Sequence, residues 1–219
     1  MVRDGYFYAL GLGAVAAILY MLTHSYVLTA IPLILAAFFL WFFRDPSRII
    51  PSGPGMIVSP ADGLVTEADW IETTSGSRLR LSIFLSVFDV HVNRSPVSGK
   101  VKAVEPRKGE FMNAIKPESV LSNEQTLVVI DAGGYEVSLK LIAGLLARRI
   151  VCNLKTGQHV ERGQRIGLIK FGSRVDVLLP AEANLKVKTG SRVRGGATVL
   201  AELPESMARD HLTATAAVA

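Results

Sequence analysis

A chain of 219 residues is long enough for one ordinary domain and an additional segment, and 49% hydrophobic residues is more than a water-soluble domain of that size needs. A formal charge of +5 suits an anionic bilayer or a nucleic acid, and a single cysteine, Cys152, excludes an intrachain disulfide and a cysteine-rich metal site. The hydrophobic excess is local: no Lys, Arg, Asp or Glu occurs from Gly5 to Phe43, while charges recur from Arg44 onward. Residues 1–48 therefore read as a membrane anchor and residues 49–219 as a soluble domain, with an anionic membrane surface rather than nucleic acid as the partner of the basic charge.

The apolar stretch breaks at Thr23, His24 and Ser25 into two runs, Gly5–Leu22 and Tyr26–Phe43. Each approaches the length that crosses a hydrocarbon core of about 30 Å, which predicts a helical hairpin. Arg3, Arg44 and Arg48 then share one side, and the positive-inside rule makes that side, with the soluble domain, cytoplasmic. The short turn and Pro32 suit a hairpin lying in one leaflet as well as one that spans. A secretory signal peptide fits less well, because a second apolar run follows and no small-x-small cleavage pattern does.

Arg44–Gly55 holds three prolines and two glycines and reads as an irregular linker. Beyond Met56, β-type runs such as Leu79–Val87, Leu127–Ile130, Tyr135–Ile142, Arg165–Lys170 and Val175–Leu179 alternate with Gly, Pro and Asn turns. Helical periodicity is limited to a turn or two over Glu110–Ile115. The segment Lys155–Ile166 (KTGQHVERGQRI) realigns with Lys188–Val199 (KTGSRVRGGATV), and Pro96–Val104 is a weaker echo. These repeats resemble the hammerhead motifs of biotinyl and lipoyl carriers, so the fold expected is an all-β barrel-sandwich hybrid behind an α-helical membrane hairpin.

Three segments concentrate reactive side chains: Ser59–Gly63 (SPADG), Phe88–Pro96 (FDVHVNRSP) and Phe171–Asp176 (FGSRVD). Each is weak alone. Asp62 before Gly63 is an ordinary turn pair, His91 could be a strand-end histidine, and Gly-Ser recurs at positions 76, 172 and 190. Gly172 differs in lying between two strand-like runs, so Ser173 need not occupy an exposed loop. No His and carboxylate pair has zinc-ligand spacing, and no metal is expected.

Together with the apolar N-terminus, Phe42–Pro46 and Ala147–Val151, these segments resemble the short form of the phosphatidylserine decarboxylase proenzyme family, from about Tyr6 to Leu203. The resemblance implies self-cleavage between Gly172 and Ser173 into a β chain of residues 1–172 and an α chain of residues 173–219, which stay together as a heterodimer and can assemble further. Ser173 becomes a pyruvoyl group, whose carbonyl forms a Schiff base with the amine of a phosphatidylserine-type phospholipid and supplies the electron sink that decarboxylation needs. His91 and Asp62 are the candidate catalytic residues beside Ser173: His91 is the best-placed base by motif, and Asp62 either orients it or acts on Ser173 directly. Longer bacterial relatives carry a second histidine where this chain has Arg94, so a strict Ser-His-Asp triad is in doubt. Arg148, Arg149 and Arg94 are candidate contacts to the lipid phosphate, and Arg44, Arg48 and Arg174 are further candidates; the plainer reading makes all of them bilayer-facing cations.

Two other readings remain. A relative acting on archaetidylserine would use the same chemistry, since only the head group reacts. A non-enzymatic, membrane-tethered biotinyl- or lipoyl-like carrier would explain the repeat, but neither Met-Lys-Met nor Asp-Lys-Ala, the usual settings of the modified lysine, is present.

Overall fold

The computed structural model describes residues 2–73, 76–112, 119–145, 149–170, 172–204 and 207. It forms two units, Met1–Ser47 and Arg48–Ala219.

The first unit is a pair of helices, α1 (Arg3–Thr23) and α2 (Tyr26–Phe42). The break falls where the sequence loses its apolar run: His24 takes a left-handed conformation with φ of 50°, and the Ser25 hydroxyl caps α2 by accepting from the Leu28 N–H. Small residues let the helices approach. A side chain at Gly5 would lie 2.8 Å from Phe43 Cβ, and Ala16 and Ala36 are buried. The Val2 N–H donates to the Phe43 carbonyl, so the two open ends of the hairpin lie together. α1, at 21 residues, is long and apolar enough to cross a membrane; α2, at 17, is shorter and runs through Pro32.

The second unit is mostly β. Its strands are β1 (Met56–Val58), β2 (Gly63–Thr73), β3 (Gly76–Leu85), β4 (Val92–Arg94), β5 (Gly99–Arg107), β6 (Gln125–Asp131), β7 (Glu136–Ile142), β8 (Ile150–Cys152), β9 (His159–Val160), β10 (Arg165–Ile169), β11 (Ser173–Leu179), β12 (Asn184–Leu185), β13 (Arg192–Val193) and β14 (Val199–Glu202). An eight-stranded sheet, ordered β13-β2-β3-β11-β7-β6-β5-β9, curls into a half-barrel, and two three-stranded sheets, β1-β14-β12 and β4-β10-β8, complete the unit. Alternation determines the inner face: Leu79, Leu81, Ile83 and Leu85 of β3, Val137, Leu139 and Leu141 of β7, and Val175, Val177 and Leu179 of β11 share one core. β3 ends two residues before the run read from the sequence. A single turn of helix, Ser119–Ser122, is an element that periodicity did not reveal. Of the helical turn expected over Glu110–Ile115, residues 113–115 lie outside the described residues, and Glu110 instead bridges to Asn123.

The sequence repeat is a structural one. Gly157 and Gly190, and Gly163 and Gly196, all have φ between 77° and 89°, conformations that favour glycine. The turns at Lys155 and Lys188 close by the same bond, from the N–H of Gln158 or Ser191 to the lysine carbonyl. The two copies then supply β9 and β13, the two edges of the eight-stranded sheet, and run on into β10 and β14, the middle strands of the two small sheets.

Gly63 opens β2 next to Asp62, and a Cβ there would stand 2.2 Å from the Phe84 carbonyl oxygen. Backbone cannot yield as a side chain can. Gly63→Ala is expected to lower unfolding free energy by roughly 2 kcal/mol or more, measured as a shift of the urea midpoint at unchanged slope.

Candidate functional site

The chain leaves the sheet of β4, β10 and β8 at Ile169 and joins the eight-stranded sheet at Ser173, so the Gly172–Ser173 bond lies at the passage between sheets. Ser173 is the first residue of β11, directly opposite Leu85, the last residue of β3. Its hydroxyl is on the core face with Val175. It is 0% exposed, and Oγ makes no hydrogen bond. Buried hydroxyls are nearly always paired, so an orphan at a strand end calls for an explanation. Gly172 is half-buried, and among the described residues none beyond its chain neighbours comes within 4 Å of where its Cβ would be. This combination fits a hydroxyl that reacts with the preceding carbonyl: it is shielded from water, untied, and next to a peptide with room to move.

His91 lies in another connection between the same two sheets, from Leu85 to Val92, and its carbonyl accepts from the Ile169 N–H at 3.3 Å. It is 1% exposed. Its Nδ1 is 2.9 Å from the Asp89 carbonyl, which can only accept, so Nδ1 carries the proton and the buried Nε2 keeps its lone pair. Asp89 is itself fixed by a turn, its Oδ2 accepting from the Ser86 N–H and hydroxyl at 2.8 and 2.6 Å. Sequence reading gave Asp89 no role, although serine three residues before aspartate is a turn signal.

Asp62 is held by other partners. Oδ2 accepts from Arg48 at 2.7 Å and Oδ1 from the Gly195 N–H at 2.8 Å, while the Ser59 hydroxyl closes the preceding turn on the Ala61 carbonyl. Arg94 is nine-tenths buried, with Nη1 3.0 Å from the Gly163 carbonyl, and a Cβ at Gly196 would touch its Cδ. Arg149 is exposed; Arg148 lies outside the described residues. Cys152, half-buried on β8, has its thiol pushed up by desolvation, which disfavours a thiolate nucleophile here.

Arg174 is not the bilayer-facing cation that its sequence position suggested. It is 2% exposed, on the face of β11 opposite Ser173. Nε donates to Asp176 Oδ1 at 2.6 Å, Nη1 and Nη2 grip Glu67 at 3.1 and 2.7 Å, and Nη2 reaches the Ser82 hydroxyl at 2.6 Å. Asp176, Ser82 and Glu67 stand side by side on β11, β3 and β2 because a bulge between Val65 and Glu67 slips β2 by one residue. Without it Thr66 would face Ser82. Arg80 extends the cluster to Glu67 and Asp69. An Arg-x-Asp pair on one strand is visible in sequence; the partner on β2 is not.

Residues 35–201 match the family model described as phosphatidylserine decarboxylase. Proteins named phosphatidylserine decarboxylase proenzyme resemble the chain over nearly its whole length. That of Solibacter usitatus is 49% identical over 92% of this chain and 96% of its own. Those of Oleidesulfovibrio alaskensis and the Wolbachia of Brugia malayi are 42% and 38% identical, covering 92% and 96% of this chain and 94% of each relative.

The buried cluster has a measurable cost of disruption. Arg174→Met takes from Asp176, itself 1% exposed, the guanidinium that hydrogen-bonds it and is expected to cost about 3–5 kcal/mol. Arg80→Met, at the more exposed edge, should cost less than about 1 kcal/mol. Urea unfolding of the two variants tests the contrast.

Proposed function

Because the chain belongs to the phosphatidylserine decarboxylase family, and so is a carboxy-lyase, we propose that it converts phosphatidylserine to phosphatidylethanolamine with a pyruvoyl group made from its own Ser173. The observation that carries this reading is the wholly buried, unpaired Ser173 hydroxyl at the Gly172–Ser173 passage. Ser173 Oγ attacks the Gly172 carbonyl, and the acyl group moves from nitrogen to oxygen. Loss of the Ser173 Cα proton then breaks the Cβ–Oγ bond, leaving a carboxylate at Gly172 and a dehydroalanine amine at 173. Water replaces that nitrogen, ammonia leaves, and the α chain of residues 173–219 begins with a ketone. Once formed, that Schiff-base-forming carbonyl supplies the electron sink for loss of the substrate carboxyl.

His91 is the proton-transfer residue in this reading. The proton held on Nδ1 by Asp89 leaves Nε2 as the base for the Ser173 hydroxyl, and as the acid for the substrate Cα in each turnover once protonated. Asp62, gripped by Arg48 and the Gly195 amide, fits a positioning role better than that of a base. Arg149, being exposed, is the favoured contact to the lipid phosphate, with Arg148 beside it; Arg94, on the Gly163 carbonyl, fits a structural role better. The helical pair anchors the β unit to the membrane, and Arg3, Arg44 and Arg48 favour its cytoplasmic side. The duplicated turn-strand units support kinship with hammerhead carriers, and the names of the relatives support the diacyl lipid over archaetidylserine.

Purified protein should separate on a denaturing gel into chains of residues 1–172 and 173–219, the smaller one blocked to Edman chemistry, while Ser173→Ala stays whole and inactive. An intact wild-type chain with full activity would refute the proposal.

His91→Ala should stall as the single chain, and the fraction that matures should release carbon dioxide about 10²–10⁴ times more slowly. Asp62→Asn should mature slowly but completely. If His91→Ala matures normally and Asp62→Asn stalls, the roles of the two residues are reversed.

A further inference from the structure

The proposed reaction leaves Asn93 of the FDVHVNR segment unused, yet it is 0% exposed and neither Nδ2 nor Oδ1 makes a hydrogen bond. A carboxamide buried with both halves unsatisfied is costly. Its surroundings follow from register. Asn93 stands opposite Gly167 on β10, and Gly167 opposite Cys152 on β8; Ile169 stands opposite Ile150. Cys152, Ile150 and Ile169 all belong to or pack on the main core, whereas Val92 and Leu168 take the other face. Asn93 thus faces the core, and His91, two residues back and bonded to Ile169, shares its face. Ser173 faces that core from β11. A Cβ at Gly167 would stand 2.6 Å from the Val151 carbonyl oxygen and 3.6 Å from Leu141 Cδ1, so only glycine fits opposite Asn93, and Leu141 pairs with Val175, two residues from Ser173.

We infer that Asn93 binds the amino-acid head group of the substrate in this interior, Oδ1 accepting from the amine and Nδ2 donating to the carboxylate that is lost. This rests on the decarboxylase reading above. An oxyanion formed during self-cleavage would satisfy only Nδ2, whereas an amino acid presents a donor and an acceptor together. The neutrality of the amide also suits the reaction. A cation would hold the carboxylate more tightly in the ground state than in the transition state, where its charge is leaving, and so would slow its loss. An amide in apolar surroundings orients the carboxylate without retaining its charge.

The test compares full-length wild type with Asn93→Leu, which keeps shape and removes both polar atoms. The variant is expected to mature into two chains as wild type does, to melt at a higher temperature because the orphan amide is gone, and to lose about 10- to 100-fold in kcat/KM on short-chain phosphatidylserine. Asn93→Asp, which sets a carboxylate against a carboxylate, should lose more. A lower melting temperature with unchanged kcat/KM would make Asn93 a structural residue and overturn the inference. Failure of self-cleavage in Asn93→Leu would assign it to maturation and overturn it equally. If Asn93→Leu misfolds on shape alone, Asn93→Ala carries the same expectations for cleavage and kcat/KM. A wild-type chain that neither cleaves nor decarboxylates removes the function first and this inference with it.

Discussion

The buried fork of Arg174 is the constraint around which the rest of the site is arranged. β11 lies between β3 and β7, and its inner face is apolar except for one hydroxyl. On its outer face, Arg174 and Asp176 are as buried as the core itself and are tied to Glu67 and Ser82. A strand gripped this way has one register, because a slip of one residue would turn Arg174 into the apolar core and Val175 out of it. The position of Ser173 is therefore determined by its neighbour's charges as much as by its own surroundings. Buried ion pairs contribute little net stability once desolvation is counted, and their usual contribution is to specify one arrangement over others. In this fold that arrangement places a buried, unpaired hydroxyl at the passage between two sheets.

The sheets depend on the duplicated segment in a comparable way. Each copy begins with a glycine turn, supplies one edge strand to the eight-stranded sheet and continues into the middle of a three-stranded one. The first copy thereby leads, through β10, to Gly172; the second passes Gly195, whose amide holds Asp62. The same turn-strand unit, used twice, thus leads once to Gly172 and once to Asp62.

Much of this architecture could be read from residues alone because its signals are local. The charge-free interval marked the helices, His24 and Ser25 marked the turn between them, and β-branched runs between glycines marked β3, β7, β10 and β11. The repeated K-T-G pattern announced turns that take left-handed conformations. What stayed hidden depends on register. Nothing local tells that Glu67 rather than Thr66 meets Ser82, that Arg48 reaches Asp62, or that Asn93 faces inward opposite a glycine. Arg174 stayed hidden for the same reason: an arginine in sequence looks like a surface charge, and only pairing across strands shows a carboxylate waiting for it. Asp89 acts through its backbone carbonyl, which no side-chain motif can disclose.

The order of the strands bears on how the molecule persists. A chain cut before Ser173 would leave β11 through β14 in the smaller fragment, and these do not form a layer of their own. β11 sits inside the large sheet, β13 borders it, and β14 lies between β1 and β12. Such a fragment cannot depart without dismantling both sheets, and once departed it lacks the covalent loop that brought it to its place, so the entropy of closing that loop must be met again by bimolecular encounter. The cut form would therefore owe its lifetime to a barrier rather than to an equilibrium, surviving as long as unfolding is slow and not re-forming afterward.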